Sequence, residues 1–505
     1  MNIHLICCTA LLWGVTGFEW FHRAAAAEKR PNVVLMMGDD HGWEETGYHG
    51  HPHVKTPVLD EMAATGLRIE NFYAAHPSCS PTRASFMTGR HPNRMGTFSP
   101  GWSIRPEEIT IAHVMSQAGY RCGHFGKWHL GPVKAASPTS PGNMGFDSWV
   151  SHDNFFELNP SLSRNGAPPQ VIDGESSAIV VEEAMQFIEA AQAEDLPFLV
   201  VVWFGSPHEP YSGLPADLAL YDDLPSRYAA KQVRLTSNET GGPVSRPQGE
   251  VLRERYAEIT AMDRAIGTFR NYLDEKKLRD NTLLFYCGDN GTSADGSLYT
   301  PHRGVKGQVY EGGTLVPGLI EWPARIPQPR STAVRATTSD LLPTLCGLVQ
   351  QPLPDRPIDG IDLTPLLDGQ LTARPKPLYF WEFNASRLAK AAAVPYLDSE
   401  LQTGTTPLAK KMAGKATRDF KNFRQPEITD EDYLGPRAII DGHHKLVIHE
   451  QKSGPTKLEL FDLQQDPAEE HDLIQQQPAV SQRLQSQLRE WQASVLKSLS
   501  GEDYH

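Results

Sequence analysis

Cysteine is scarce in this chain and poorly spaced for crosslinking: six occur in 505 residues. Cys7 and Cys8 lie in the apolar N-terminus, and the other four, Cys79, Cys122, Cys287 and Cys346, form no C-x-x-C pair. That argues against a structural zinc site. Their wide separation resembles no disulfide framework, so Cys122, Cys287 and Cys346 are expected to be buried free thiols that pack as small apolar groups. A basic excess is missing too. With 61 acidic against 47 basic residues the formal net charge is −14, which argues against a general nucleic-acid binder. An anionic substrate stays open, because a local cationic site can sit inside an acidic protein. No segment is low-complexity and no internal repeat occurs, which removes repeat architectures.

Long apolar runs are also lacking. Leu5 to Phe18 is mostly apolar, but it is short for a membrane span and broken by Thr16 and Gly17. Ala25-Ala26-Ala27 offers an A-x-A cleavage site before Glu28. Residues 1–27 are therefore expected to be a signal peptide, and the mature protein to be exported, periplasmic or secreted, without stable membrane insertion. The alternative is a membrane anchor, since only the amino terminus and His4 supply a positive n-region. Lipidation at Cys7 or Cys8 is the poorer reading, for want of a suitably placed small residue.

Short unbroken apolar runs are present, and each ends in polar residues. Val33-Val34-Leu35-Met36-Met37 runs into Gly38-Asp39-Asp40. Phe198 to Phe204 leads to Ser206-Pro207-His208, and Leu283 to Cys287 leads to Gly288-Asp289-Asn290. Runs of this kind suit strands buried on both faces of a mostly parallel sheet. Ligands of open α/β sheets bind beyond the carboxyl ends of the strands, so the three polar ends predict one shared site. Val181, Ala184 and Ile188, and then Tyr256, Ile259, Met262, Ile266, Phe269 and Leu273, recur at helical spacing and predict helices covering the sheet.

After about Pro375 the character changes. Ala438 to Ile440 and Lys445 to Ile448 read as strands joined by an Asp441-Gly442 turn, with Leu458 to Leu463 as a third. Leu484, Leu488, Trp491 and Val495 mark a closing amphipathic helix. The expected division is 1–27 signal peptide, 28–375 catalytic domain, and 376–505 a smaller α+β domain with an antiparallel sheet. Residues 383–432 are a long polar insertion, either a mobile surface excursion or a lid in contact with substrate.

The chemistry-bearing residues cluster in type. Cys79 precedes Pro81, and Thr82 to Thr88 reads as a short helix stopped by Gly89. Its free backbone N–H groups favour an anion beside Cys79, and Arg83 adds a forked cation. Asp39, Asp40, Asp289 and Asn290 offer only oxygen, which suits Ca²⁺, with Mg²⁺ as the alternative. A lone Asp-Asp pair is more often a turn or cap; two such pairs, each closing a buried strand, point to a metal. His49, His51 and His53 imitate a metal site but sit among loop formers, and a ligand role is not expected. His443-His444, beside a turn, is expected to be solvated.

Cys79-x-Pro81-x-Arg83, continued by Ala84-x-x-x-x-Gly89-Arg90, resembles the signature of type I sulfatases, in the alkaline phosphatase superfamily. Gly126-Lys127-Trp128-His129-Leu130-Gly131, Ser206-Pro207-His208, Asp289-Asn290-Gly291, Lys306, Glu311-Gly312-Gly313 and Glu459 to Asp462 match further motifs in the family's order. The resemblance implies an alkaline-phosphatase-like α/β fold with a smaller second domain. It implies that a formylglycine-generating enzyme oxidises Cys79 to formylglycine, whose hydrate attacks sulfur with one hydroxyl and expels sulfate with the other. It further implies Asp39, Asp40, Asp289 and Asn290 as metal ligands, His129 as the base on the hydrate and His208 as the acid on the leaving alcohol. Lys127 and Lys306 would neutralise sulfate, and Arg83 would hold the hydrate. The expected substrates are sulfated carbohydrates, polysaccharide or glycosaminoglycan of the N-acetylgalactosamine 6-sulfate type, or aryl sulfates. The alternatives are a phosphate or phosphonate ester hydrolase of the same superfamily and a non-catalytic binder of sulfated glycans. Two departures stand out: Leu315 where the family often carries Arg, and Cys122 in place of a common Thr or Ala.

Overall fold

Asn32–Gly38 folds as the strand its apolar run predicts, buried along its whole length, and Phe198–Trp203 and Thr282–Gly288 do the same. The computed structural model describes residues 30–504, apart from 238–239, 387, 389–393, 413–414, 426 and 451, so the expected signal peptide lies outside the described residues. Asn32–Gly38 pairs in parallel with Thr282–Gly288 on one side and Phe198–Trp203 on the other. Arg121–Lys127 and Ser148–His152 extend the parallel order. Shorter strands, including antiparallel ones on both flanks, bring the sheet to ten. Met37 stands opposite both Cys287 and Trp203, and Gly126 opposite Trp203, so the strands end level. Whatever follows each of them emerges along one edge.

Val33, Leu35 and Met37 enter one apolar cluster, and Val34 and Met36 enter another. The second cluster is covered by helices Ser176–Ala193 and Gln248–Glu275, through Val181, Ala184 and Ile188 and through Ile266, Phe269 and Leu273. The first is covered by helices that include Cys79–Thr88 and Leu341–Val349. Burial on both faces explains why these strands are continuously apolar. Cys122, Cys287 and Cys346 are buried free thiols in the first cluster.

Arg437–Asp441, His444–His449 and Lys457–Asp462 form the antiparallel sheet expected near the C-terminus, and Leu378–Trp381 adds a fourth, unanticipated strand. Ile439, Leu446 and Leu460 pack on Leu484, Leu488 and Trp491 of the closing helix Pro478–Ser500. Ala438, Ile440, Val447 and Phe461, from the other face, pack with Tyr73, Tyr310 and Leu315. The chain from Pro31 onward is a single compact unit, so the change of character near 375 is a change of sheet within it. The polar insertion folds into the pair Val394–Pro395 with Phe423–Arg424 and a hairpin of Thr403–Met412 with Lys415–Asp419.

Candidate active site

The helix that carries Cys79 begins one turn earlier than its proline suggests: it spans Cys79–Thr88, with extended Ser78 as its N-cap and Gly89 closing it at φ 70°. Pro81 sits in the first turn, where its missing N–H has no intrahelical partner to lose. Cys79 is thus a helix-start residue, buried, with Sγ 3.7 Å from Asp40 Oδ1. Burial pushes its thiol above the ordinary range, against the pull of Lys127 and Lys306. An unmodified thiol here stays protonated and is a poor nucleophile. Arg83, also buried, donates from Nη2 to Asp289 Oδ2 at 2.8 Å and from Nη1 to the Lys127 carbonyl at 3.2 Å.

Asp39, Asp40, Asp289 and Asn290 converge at the level ends of two neighbouring strands, all buried. The Asp40 amide donates to Asp289 Oδ1 at 2.8 Å, and Asn290 Nδ2 donates to Asp40 Oδ1 at 2.9 Å. Three lysine and arginine side chains answer three carboxylates: Lys127 Nζ lies 2.5 Å from Asp39 Oδ2, Lys306 Nζ 2.6 Å from Asp40 Oδ1, and Arg83 against Asp289. Two oxygens are left over. Asp39 Oδ1 and Asn290 Oδ1 are buried and accept no hydrogen bond. Burial raises the Asp39 carboxyl, Lys127 opposes this, and neighbouring Asp289 raises it further. Arg83 Nη2 comes no nearer than 3.5 Å to Asp39 Oδ1, and oxygens without a hydrogen bond beside crowded carboxylates fit a divalent cation of the Ca²⁺ or Mg²⁺ kind.

Two of these side chains sit on backbone that non-glycine residues seldom adopt: Asp40 at φ 62° and His129 at φ 55°. Each is the second residue beyond the end of its strand, where neighbouring strand ends crowd together. A Cβ on Gly126, which has φ 102°, would lie 2.0 Å from the Trp203 carbonyl oxygen. The Gly-Lys-Trp-His motif therefore opens with the one residue that lets Arg121–Lys127 reach the site edge. Both ring nitrogens of His129 are buried without a partner, and burial together with Lys127 and Arg418 holds the ring neutral. His208 Nε2 lies 3.7 Å from Asp40 Oδ2, and its ring stacks on Phe155 at 4.8 Å. Burial and Lys306 lower it to about 3, with Asp40 and Asp39 opposing. Ligand atoms of Asp39, Asp40, Cys79 and His208 all lie within 4.8 Å of one another. All ten residues singled out from the sequence thus meet at one edge of the sheet.

Comparison with known proteins decides the family. Residues 31–351 match the profile of the sulfatase family. The chain belongs to that family. It is 30% identical to arylsulfatase A of Homo sapiens over 467 residues, 89% of this chain and 84% of that one. It is 31% identical to N-acetylgalactosamine-6-sulfatase of Sus scrofa over 512 residues, 93% of this chain and 85% of that one. The fold matches a structure solved in complex with its substrate D-glucosamine-2-N,6-O-disulfate, at TM-score 0.69 and 19% identity, covering 94% and 100% of the two chains. The phosphonate monoester hydrolase of Agrobacterium radiobacter shares it at TM-score 0.61 and 19% identity, covering 93% and 97%.

Parts of this sulfatase's site lay outside the motifs. Arg255, on the long cover helix, reaches the Asp40 carbonyl at 2.6 Å and the Pro207 carbonyl at 2.7 Å while pairing with Glu45. It ties two strand ends together, yet in sequence it is one charge among many. Asp153 accepts from the amides of Val133 and Thr406 and from the Thr406 hydroxyl, so it fastens the insertion hairpin to the site edge. Leu315 is filled in by apolar packing, and Glu311 pairs instead with Lys445 at 2.9 Å, so the departure leaves no unanswered charge. His49, His51 and His53 are occupied locally: His49 stacks on Trp43, His51 Nδ1 accepts the Val54 amide and His53 meets the Tyr299 hydroxyl. His443 stays largely exposed beside its turn.

Proposed function

We propose that this sulfatase, exported after loss of its first 27 residues, hydrolyses sulfate esters of carbohydrates by way of a formylglycine made from Cys79. The observation that carries this is the setting of Cys79: a buried helix-start residue, too poorly ionised to serve as a thiolate, facing three lysine and arginine groups and an unsatisfied oxygen cluster. A formylglycine-generating enzyme would act during maturation, and the resulting hydrate supplies the oxygen nucleophile that the thiol cannot. Asp39, Asp40, Asp289 and Asn290 would hold Ca²⁺ or Mg²⁺, which supplies Lewis-acid polarisation of the sulfate oxygens.

The chain's own residues do the rest. Arg83 and the helix N-terminus fix the nucleophile, while Lys127 and Lys306 spread positive charge over the sulfate. His129, neutral and with both ring nitrogens free, accepts the proton from the hydrate. His208 protonates the departing alcohol only as an imidazolium: Nδ1–H donates to the Glu209 carbonyl, so the proton it passes on is a second one, carried on Nε2, which faces the site beside Asp40. Sulfated carbohydrates are favoured over simple aryl sulfates because the hairpin Thr403–Met412 with Lys415–Asp419 docks through Asp153 beside the site, adding surface that a small aryl group does not need, and the N-acetylgalactosamine-6-sulfatase relatives support this reading.

The test couples two measurements on protein produced with a formylglycine-generating enzyme. The Cys79 peptide should show the mass of an aldehyde in place of a thiol. The same protein should turn over 4-nitrophenyl sulfate and sulfated sugars, lose activity on chelation and regain it with Ca²⁺ or Mg²⁺. An unmodified thiol in active enzyme, or a clear preference for phosphate esters, overturns the proposal.

A further inference from the structure

The hairpin Thr403–Met412 with Lys415–Asp419 brings a second kind of cation to the site. Arg418 is buried to 9% exposure. Its Nη1 donates to Met412 Sδ at 3.1 Å, and its Nε is buried with no acceptor. No carboxylate pairs with it among the described residues; the one group that opposes the effect of burial on it is Cys79. Its charge also acts on His129. The guanidinium therefore lies within electrostatic reach of the nucleophile and the base, on a hairpin that Asp153 fastens beside the end of strand Ser148–His152, and no counter-ion pairs with it among the described residues.

A buried guanidinium without an anion is costly, and such groups persist where a ligand completes them. The surroundings are built to hold it. Gly101, at φ 91°, lies so close that an added Cβ would come 2.2 Å from Arg418 Nη2. Lys421 anchors the strand to the same segment, its amide donating to the Gly101 carbonyl at 2.8 Å while its carbonyl accepts from Ser103 at 3.0 Å. The Asp153 carboxylate, on the strand end that the hairpin docks against, is engaged with Val133, Thr405 and Thr406. The cations at the sulfate end already have partners in Asp39, Asp40 and Asp289. Arg418 is left to meet something the ester itself does not bring.

We propose that Arg418 is a specificity-determining residue that binds a second anionic group of the substrate, a carboxylate or a second sulfate on the sugar beside the ester. This rests on the carbohydrate sulfatase reading above and deepens it: the preferred substrate carries at least two negative charges. A planar guanidinium takes either group through paired hydrogen bonds.

The test compares wild type, Arg418→Ala and Arg418→Lys, all with Cys79 converted. The substrates are 4-nitrophenyl sulfate and a panel of sulfated sugars in three forms: neutral apart from the ester, with a uronic acid carboxylate, and with a second sulfate. Arg418→Ala should raise KM for one doubly anionic form by about 10- to 100-fold, with kcat held within a few-fold. The form affected identifies the group. Arg418→Lys should recover part of the loss, and 4-nitrophenyl sulfate and the singly anionic sugars should change less than about threefold. Equal loss on every substrate overturns the proposal, because the residue then serves the transferred sulfate or the fold; melting curves separate those two causes. Wild type that favours singly anionic sugars, or takes aryl esters alone, overturns it as well. Failure to cleave any sulfate ester strikes the sulfatase proposal instead.

Discussion

The two sides of this site are built on opposite plans. At the sulfate end, strand termini locked in parallel register deliver Asp39, Asp40, Asp289, Lys127 and His129 along one edge, and the lysine and arginine charges are matched by carboxylates. On the side assigned to the alcohol in the proposed function, a hairpin from a polar insertion delivers Arg418, and among the described residues no carboxylate pairs with it. The first plan suits an electrostatic site whose parts must not move between ground state and transition state. The second leaves one charge for the substrate to neutralise, so it suits selection among substrates. Under the proposed function, chemistry and choice fall to separate elements, one central in the sheet, the other peripheral.

Substitutions at the two ends should therefore fail differently. Lys127→Ala should have the largest effect: it removes the proposed sulfate contact and leaves buried Asp39, beside Asp289, with only the more distant Arg83 at 3.5 Å. A loss on the order of 10³-fold in kcat is expected, the same for aryl and sugar sulfates. A loss confined to sugars would break the comparison. Asp153→Ala comes next. It releases the hairpin amides and leaves the strands beneath intact, so KM for sugars should rise roughly tenfold while 4-nitrophenyl sulfate is spared. Equal loss on both would mean that the hairpin supports the sulfate end too.

The same contrast governs what could be read in advance. The sulfate end was legible because strands buried on both faces leave an unmistakable apolar run, and register then forces their polar ends together. The hairpin was not, since Thr403 to Asp419 alternates small, polar and charged residues, with one side open to water. Nothing in the identity of Arg418 distinguishes it from neighbouring Lys415 or Lys421; only the missing counter-ion does, and that exists in three dimensions alone. Leu378–Trp381 was overlooked for a simpler reason: four residues after a proline-rich stretch carry too little pattern to separate a strand from a loop. The helix of Cys79 starts three residues before Thr82 because Ser78, extended at φ −154°, caps it and Pro81 falls inside its first turn, where a proline marks a helix start without fixing its first residue.

Lys410 offers the finest test, because it lies on the same hairpin as Arg418 but has found its partner. Its Nζ pairs with Glu209 and sits 5.2 Å from the centre of the Phe155 ring, whose other neighbour is the His208 imidazole. The charge is already answered, so no substrate anion is needed to complete it. Lys410→Ala removes a cation–π contact of about 1 kcal/mol and loosens the ring that braces His208. Glu209 keeps a quarter of its side chain exposed and can return to water, which limits the penalty of losing its partner. The expected result is a fall in kcat of roughly three- to fivefold, equal for singly and doubly anionic sugars, with KM nearly unchanged. If Lys410→Ala discriminates between those sugars as Arg418→Ala should, then pairing within the free protein does not decide which cation meets the substrate, and the division between the two ends fails.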